Sequence, residues 1–371
     1  MSYMLKKTAY LEELSIDGKG SYGIAASAVP FSDELYTYLR ITDINDDGTI
    51  NFNALKSVEH EKAKDYILKP NDIVFARTGA STGRNYFYDG SDGEFVYAGF
   101  LIKFSIDEKK VNPKYIKYYC QSNQYKDWVK SFNTGSTRGN INAKTFGKLE
   151  IPLISRKEQD KLVEILSSID NKIKINKEIN NNLLKIATSI FNKKFPNISD
   201  GNKCIGDFIS PKRGKNLLSK NAIPGDVPVV AGGLEPATYH NVSNTVSPVI
   251  TISASGANAG YTNLWNIPVW SSDSSFIDAS MTDNVYFWFI HLKSRQKEIF
   301  DSQTGSAQPH IYPKHISVMP IREIEMEDVE NYTKIVTPLF DKIGINEKEN
   351  NKLSELRDSL LPKLINGEIL L

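Results

Sequence analysis

Ile173-Lys174-Ile175-Asn176-Lys177-Glu178-Ile179-Asn180-Asn181-Asn182-Leu183 returns 170 residues later as Ile343-Gly344-Ile345-Asn346-Glu347-Lys348-Glu349-Asn350-Asn351-Lys352-Leu353. Ile173, Ile175, Asn176, Asn180, Asn181 and Leu183 persist in the second copy. Upstream, Thr134-Gly135-Ser136 recurs as Thr304-Gly305-Ser306 and Ile141 as Ile311, at the same offset of 170. A period of this size is a domain duplication and not a solenoid. The chain therefore reads as globular unit, long helix, globular unit, long helix.

The first long helix is expected over Arg156–Lys194. Ser155 offers an N-cap with Glu158 three residues on, and Pro196 stops the run. Leu162, Leu166, Ile169, Ile173, Asn176, Asn180, Leu183, Ala187 and Ile190 alternate spacings of four and three, the seam of a coiled coil. At the rise of an α-helix this run makes a rod of roughly 55–60 Å. The second copy places Val336, Leu339, Ile343, Asn346, Asn350, Leu353, Leu356, Leu360 and Leu364 on the equivalent seam. Pro338, Gly344 and Pro362 predict that this helix is kinked or built in pieces.

Two similar helices in one chain, separated by a folded domain, pack most simply as an antiparallel pair. Asn176, Asn180, Asn346 and Asn350 then serve as buried polar residues that penalise a wrong register. The competing reading puts the same asparagines on solvated faces.

Composition narrows the class less. The 371 residues are 40% hydrophobic and 24% charged, with net charge +1, an ordinary soluble balance. Two cysteines build no disulfide framework, which points to the reducing cytoplasm. No signal peptide or membrane-spanning run is evident.

Each globular unit reads as mixed α/β, with strands expected over 38–42, 72–77 and 95–104 and a helix over 112–130 in the first. A strand over 249–253 in the second leads into Gly256-Ala257-Asn258-Ala259-Gly260, the counterpart of Gly79-Ala80-Ser81-Thr82-Gly83. Such glycines serve a tight turn, or let a backbone approach a partner. From Lys109 to Lys148, nine basic residues stand against the single acid Asp127, interleaved with Tyr115, Tyr118, Tyr119, Tyr125, Trp128 and Phe132. A local excess of this kind is the electrostatic footprint of polyanion binding. The loop Thr134–Asn140 and its partner Thr304–His310 keep one frame and change its side chains, as two readers of two sequences would require. Cofactor loops are absent: Gly214-Lys215-Asn216 fails the phosphate-loop spacing, and the five histidines form no metal pattern. Nothing nominates a nucleophile or general base.

Thr134 to Ile141, followed by Ile151-Pro152-Leu153 and Glu158-Gln159, resembles the specificity subunits of type I restriction–modification systems. Leu356 to Ile369 is similar to that family's closing signature, and the resemblance covers essentially the whole chain. It departs from the family pattern at 323–330, where the second copy lacks the Pro-rich, Glu-Gln helix entry. The family implies an α+β fold: two similar mixed α/β target-recognition domains, at 1–153 and 196–322, joined by long helices at 154–195 and 323–371. The helices form an antiparallel coiled coil within a pseudo-two-fold internal repeat.

Within that frame each domain reads half of a bipartite, asymmetric site on double-stranded DNA. The helix pair sets the gap between half-sites about 34–36 Å apart, and the target base flips into a partner's pocket. Two modification subunits carrying S-adenosylmethionine dock on the chain, with room for a restriction subunit. The chain itself holds no cofactor and no metal, is not an enzyme, and is cytoplasmic and not membrane-bound. DNA contacts expected in the first domain are Arg77, Ser81, Arg84, Ser136, Thr137, Arg138, Asn140 and Lys144, with Lys126 and Lys130 on phosphates. In the second they are Lys212, Arg213, Lys215, Ser255, Asn258, Ser306, Gln308, His310 and Lys314. The alternatives are a coiled-coil scaffold whose domains bind protein or carbohydrate, and a self-contained nuclease or methyltransferase.

Overall fold

The Ser155 hydroxyl accepts the Glu158 backbone N–H at 3.3 Å, and the Glu158 carboxylate accepts the Ser155 N–H at 2.9 Å. This reciprocal pair caps a helix that runs over Arg156–Lys194 without interruption, as expected from the capping residues. In the computed structural model, residues 7–132, 139–305, 308–366 and 368 are described. The chain divides into two compact units, one of Met1–Asn171 with Leu353–Leu371 and one of Lys172–Lys352.

The first unit holds strands β1 (Lys7–Tyr10), β2 (Ser21–Tyr22), β3 (Ala28–Val29), β4 (Tyr36–Leu39), β5 (Lys56–Val58), β6 (Asp72–Ala76), β7 (Asn85–Tyr88), β8 (Phe95–Tyr97), β9 (Leu101–Ser105) and β10 (Glu150–Leu153). Helices α1 (Pro113–Tyr119), α2 (Asn123–Lys130) and α3 (Ala143–Gly147) follow, and α4 (Arg156–Lys194) begins here. The single helix expected over 112–130 is broken because Ser122 caps the Tyr125 N–H and starts a second one. The strand expected over 95–104 is likewise divided, by the turn at Gly99 and Phe100.

The second unit holds β11 (Lys203–Cys204), β12 (Lys212–Arg213), β13 (Val227–Val230), β14 (Thr238–His240), β15 (Val249–Ser253), β16 (Thr262–Trp265), β17 (Trp270–Ser271), β18 (Ser274–Asp278) and β19 (Pro320–Ile321). Its helices are α5 (Val285–Ser294), α6 (Gln296–Asp301) and α7 (Pro313–Ser317), and most of α8 (Met326–Asn366) lies here.

The duplication is visible in the sheets. Strand order β2-β9-β6-β7 in one unit is β12-β18-β15-β16 in the other. A second sheet joins β4 to β8 in parallel and β4 to β5 antiparallel. Its counterpart joins β13 to β17 in parallel and β13 to β14 antiparallel. The central strands β6 and β15 are buried at every residue, as strands covered on both faces must be.

Helix α8 corrects the expectation of a second helix built in pieces, because Met326–Asn366 is continuous. Pro338 is exposed and removes one ladder bond. Val336, Phe340 and Ile343 on the other side are buried in the unit's core and hold the helix through it. Gly344 makes room for a neighbour, since a Cβ there would stand 2.8 Å from the Asn266 Cβ.

Within the second unit α4 and α8 run antiparallel, with Lys194 against Asp328 at 3.1 Å and Tyr332 donating to the Ala187 carbonyl at 3.1 Å. Asn176 donates to Asn350 at 2.9 Å, and Asn346 donates to Asn180 at 2.7 Å. Asn176, Asn346 and Asn350 are buried, so these three do not lie on solvated faces. Within the first unit the seam departs from the expected one. Leu356 is 47% exposed, and Arg357 turns toward Asp170 at 3.2 Å, where Lys117 also pairs at 2.9 Å.

Candidate nucleic-acid interface

After β6 the chain turns through Gly79 and Gly83, both at positive φ. A Cβ on Gly83 would stand 2.4 Å from Val129 Cγ1 of α2, so only glycine lets this loop close onto the helix. The Tyr125 hydroxyl donates to the Gly83 carbonyl at 2.6 Å. Thr82 donates to the carbonyls of Gly79 and Gly139 at 2.8 and 2.9 Å. Thr78 bridges Asn140, and the Ile141 N–H donates to the Arg77 carbonyl at 2.9 Å. Two loops distant in sequence are thus clamped side by side.

The second unit repeats the clamp. Gly256 and Gly260 have positive φ, and a Cβ on Gly260 would meet Ile299 Cγ2 of α6 at 2.9 Å. Ser255 bridges His310, and the Gly256 N–H donates to the Pro309 carbonyl at 3.1 Å.

The expected contact residues distribute unevenly around these clamps. In the first unit Asn140, Lys126, Lys130 and Lys144 are exposed. Ser81 is buried, and Arg84 is tied to the Asp46 carboxylate at 2.6 Å and the Ile44 carbonyl at 3.1 Å. Arg77 is half-buried, its guanidinium 5.1 Å from the Tyr22 ring centroid. Its Nε is buried with no hydrogen-bond partner among the described residues. Ser136, Thr137, Arg138 and Ser306 lie outside the described residues.

In the second unit Lys212, Lys215, Gln308 and Lys314 are exposed, while Asn258 and His310 are half-buried. His310 stacks on Tyr312 with centroids 5.9 Å apart. Arg213 donates to the Asp273 carboxylate at 2.6 Å, and Ser255 donates to the same carboxylate.

The basic window of the first unit is less open than its sequence suggests. Lys117 pairs with Asp170, Lys130 with Asp127, and Lys148 with Glu12 at 2.6 Å. Lys110 bonds the Glu13 carbonyl and approaches Asp107 at 3.7 Å. Tyr115, Tyr118, Tyr119 and Tyr125 are core residues and not a stacking face. Burial raises the phenol pKa of each, that of Tyr119 to about 12. In the second unit Lys293 is also inward, donating to the Thr262 carbonyl at 2.8 Å, and its burial lowers its pKa.

Sequence reasoning missed Tyr22, Phe100 and Asp273. Tyr22 and Phe100 are 42% and 59% exposed beside Arg77, and Asp273 organises Arg213 and Ser255. A usable signal was Tyr22-Gly23 against Arg213-Gly214. It does not fall at the offset of the helix repeat, because the intervening loops differ in length.

The family described as Type I restriction modification DNA specificity domain matches residues 31–185. The chain is 26% identical over 305 residues to the Type I restriction enzyme MjaIX specificity subunit of Methanocaldococcus jannaschii, covering 71% of each. It is 21% identical to the HindI specificity subunit of Haemophilus influenzae, covering 90% of this chain and 95% of the relative. Its fold is that of the crystal structure of a type I restriction–modification S subunit from M. genitalium, with TM-score 0.53, 20% identity and 98% of each chain covered. With the duplicated sheets and the paired long helices, these matches make the chain similar to the specificity subunits of type I restriction–modification systems.

Proposed function

We propose that the chain reads a bipartite, asymmetric sequence in double-stranded DNA, one half-site per recognition domain, and performs no chemistry itself. The observation that carries this reading is the repeated clamp: Thr78 against Asn140, and Ser255 against His310. One backbone frame carries different side chains in the two units, as two half-sites of different sequence require. Phosphate contacts from Lys126, Lys130, Lys144, Lys212, Lys215 and Lys314 supply affinity and orientation. Arg77, Arg138, Asn140, Arg213, Ser255, Gln308 and His310 supply base contacts.

The functional division follows 1–153 and 196–322 for reading, and 154–195 and 323–371 for spacing. Asn176, Asn180, Asn346 and Asn350 keep the helix register, which keeps the gap constant. Two modification subunits carrying S-adenosylmethionine dock on this chain in the cytoplasm, and a restriction subunit joins where cleavage is licensed. Among the described residues no helix is long and apolar enough to cross a membrane.

Single-molecule methylation sequencing of host DNA, with the gene intact and deleted, tests the reading. Loss of adenine methylation at one split motif supports it and supplies the sequence. An unchanged methylome, with chain and modification partner both expressed, overturns it in favour of a protein- or carbohydrate-binding scaffold. Arg138→Ala then separates its roles: a loss of about 1–3 kcal/mol at one base position marks a base reader, and uniform weakening marks a phosphate contact.

A further inference from the structure

At the edge of each main sheet one structurally equivalent position carries opposite chemistry in the two units. Tyr22 and Arg213 each end a two-residue strand, paired with Ile102 and Ser275. Each is followed by a glycine pressed against the opposing backbone. A Cβ on Gly23 would stand 2.3 Å from the Ala98 carbonyl oxygen, and one on Gly214 would stand 2.5 Å from that of Ser271.

Phe100 and Asp273 correspond by the same logic. The Phe100 carbonyl accepts the Arg77 N–H at 3.0 Å, and the Asp273 carbonyl accepts the Ala254 N–H at 3.1 Å. The first unit therefore presents Tyr22, Arg77 and Phe100 where the second presents Arg213, Ala254 and Asp273. The supports change with them. The Tyr22 hydroxyl accepts the Ala143 N–H at 3.1 Å, whereas Pro313, at the matching start of α7, has no N–H to give.

We propose that this position is a base-reading site in both units, apolar in the first and charged in the second, and that it makes the half-sites different. The inference rests on the DNA-recognition reading above. Phe100 is a large apolar side chain standing in solvent beside an arginine, and the thymine 5-methyl is the one apolar group that a base edge offers in the major groove. Phe100 contacts that methyl. Tyr22 is a positioning residue that holds the Arg77 guanidinium from below, leaving its edge for an adjacent guanine. In the second unit Asp273 fixes Arg213 through one N–H, so the rest of the planar fork is oriented before binding. An arginine held in this way suits the paired acceptors of guanine.

The test is selection of randomised DNA duplexes by the full chain assembled with its modification partner, followed by sequencing. Phe100→Ala is expected to lose thymine preference at one position of one half-site, by about ten-fold, and to leave the other half-site intact. Deoxyuridine at that position reproduces the loss with the unmutated chain and has no effect on F100A. Arg213→Lys, which keeps the charge but not the fork, loses guanine preference at one position of the opposite half-site only. Unchanged motifs for both variants, or uniform weakening at every sequence, overturn the inference while the DNA-recognition reading stands. Failure of the unmutated assembly to enrich any split motif overturns that reading itself.

Discussion

In the first unit the helix beside the main sheet carries buried tyrosines whose hydroxyls all find acceptors. Tyr115 donates to the Pro152 carbonyl at 2.5 Å, Tyr119 to the Glu150 carbonyl at 2.8 Å and Tyr118 to Asp170 at 2.9 Å. In the second unit α5 buries every residue from Val285 to Leu292, packed against Phe191, Tyr332 and Phe340. Besides Tyr286 it carries His291, whose Nδ1 has no partner among the described residues. One strand order thus accepts either a tethered polar interior or an aromatic one. Topology follows the apolar pattern, while the particular polar groups decide how each unit responds to mutation and pH.

The comparison breaks most sharply at the glycine clamp. Gly83→Ala puts a methyl 2.4 Å from β-branched Val129 at a positive φ and is expected to cost about 4 kcal/mol. Gly260→Ala meets Ile299 at 2.9 Å and should cost about half as much. Denaturation followed by peptide-resolved hydrogen exchange assigns each loss to its unit, and equal losses would remove the asymmetry.

Asp170→Ala comes next. Burial alone would raise its carboxyl pKa, but the Lys117 and Arg357 charges and the Tyr118 bond hold it below the usual carboxylate range. Removing it strands Lys117 and leaves Arg357 with Asp358 alone at 3.0 Å, and should cost the first unit about 3 kcal/mol. A depressed carboxyl pKa adds stability above its unfolded value, and that share is lost only as pH falls below the usual carboxylate range.

Acid sharpens the contrast from the other side. Burial, and then the Arg295 charge, lower His291 from 6.5 to about 3. The unfolded chain therefore binds a proton that the folded second unit does not. Its stability falls as pH drops below 6.5, by up to about 1.4 kcal/mol per pH unit. Exchange measured from pH 7 to 4.5 should show the second unit loosening first, and His291→Gln should abolish that lead.

The smallest effect is expected in the helix pair. Asn350→Ala leaves Asn176 short of a partner and costs about 1 kcal/mol, whereas leucine at both positions is neutral or stabilising. A double-mutant cycle measures the coupling, and additive losses would show that the pair does not act as a unit.

Much of this was legible in the chain before folding. The constant offset of the asparagine seam announced the duplication, and Ser155 with Glu158 placed the start of the first long helix. These signals are local or periodic, so neighbouring residues carry them. The glycine loops were visible, but not which glycine faces a helix and which faces open space. The basic window misled because Lys117 and Lys148 find Asp170 and Glu12 far along the chain, and because its tyrosines turn inward.

By itself the sequence determined the repeat, the two long helices, the mixed α/β units and the resemblance that named a DNA-reading family. Each follows from capping, spacing and apolar period, which act over a few residues. Only the tertiary structure decided that α8 runs unbroken through Pro338, that Arg357 displaces Leu356 from the seam, and that Tyr22 meets Arg77 where Arg213 meets Asp273. Those outcomes depend on groups brought together by sheet register across loops of unequal length, and no fixed offset in the sequence records which side chains will share a surface.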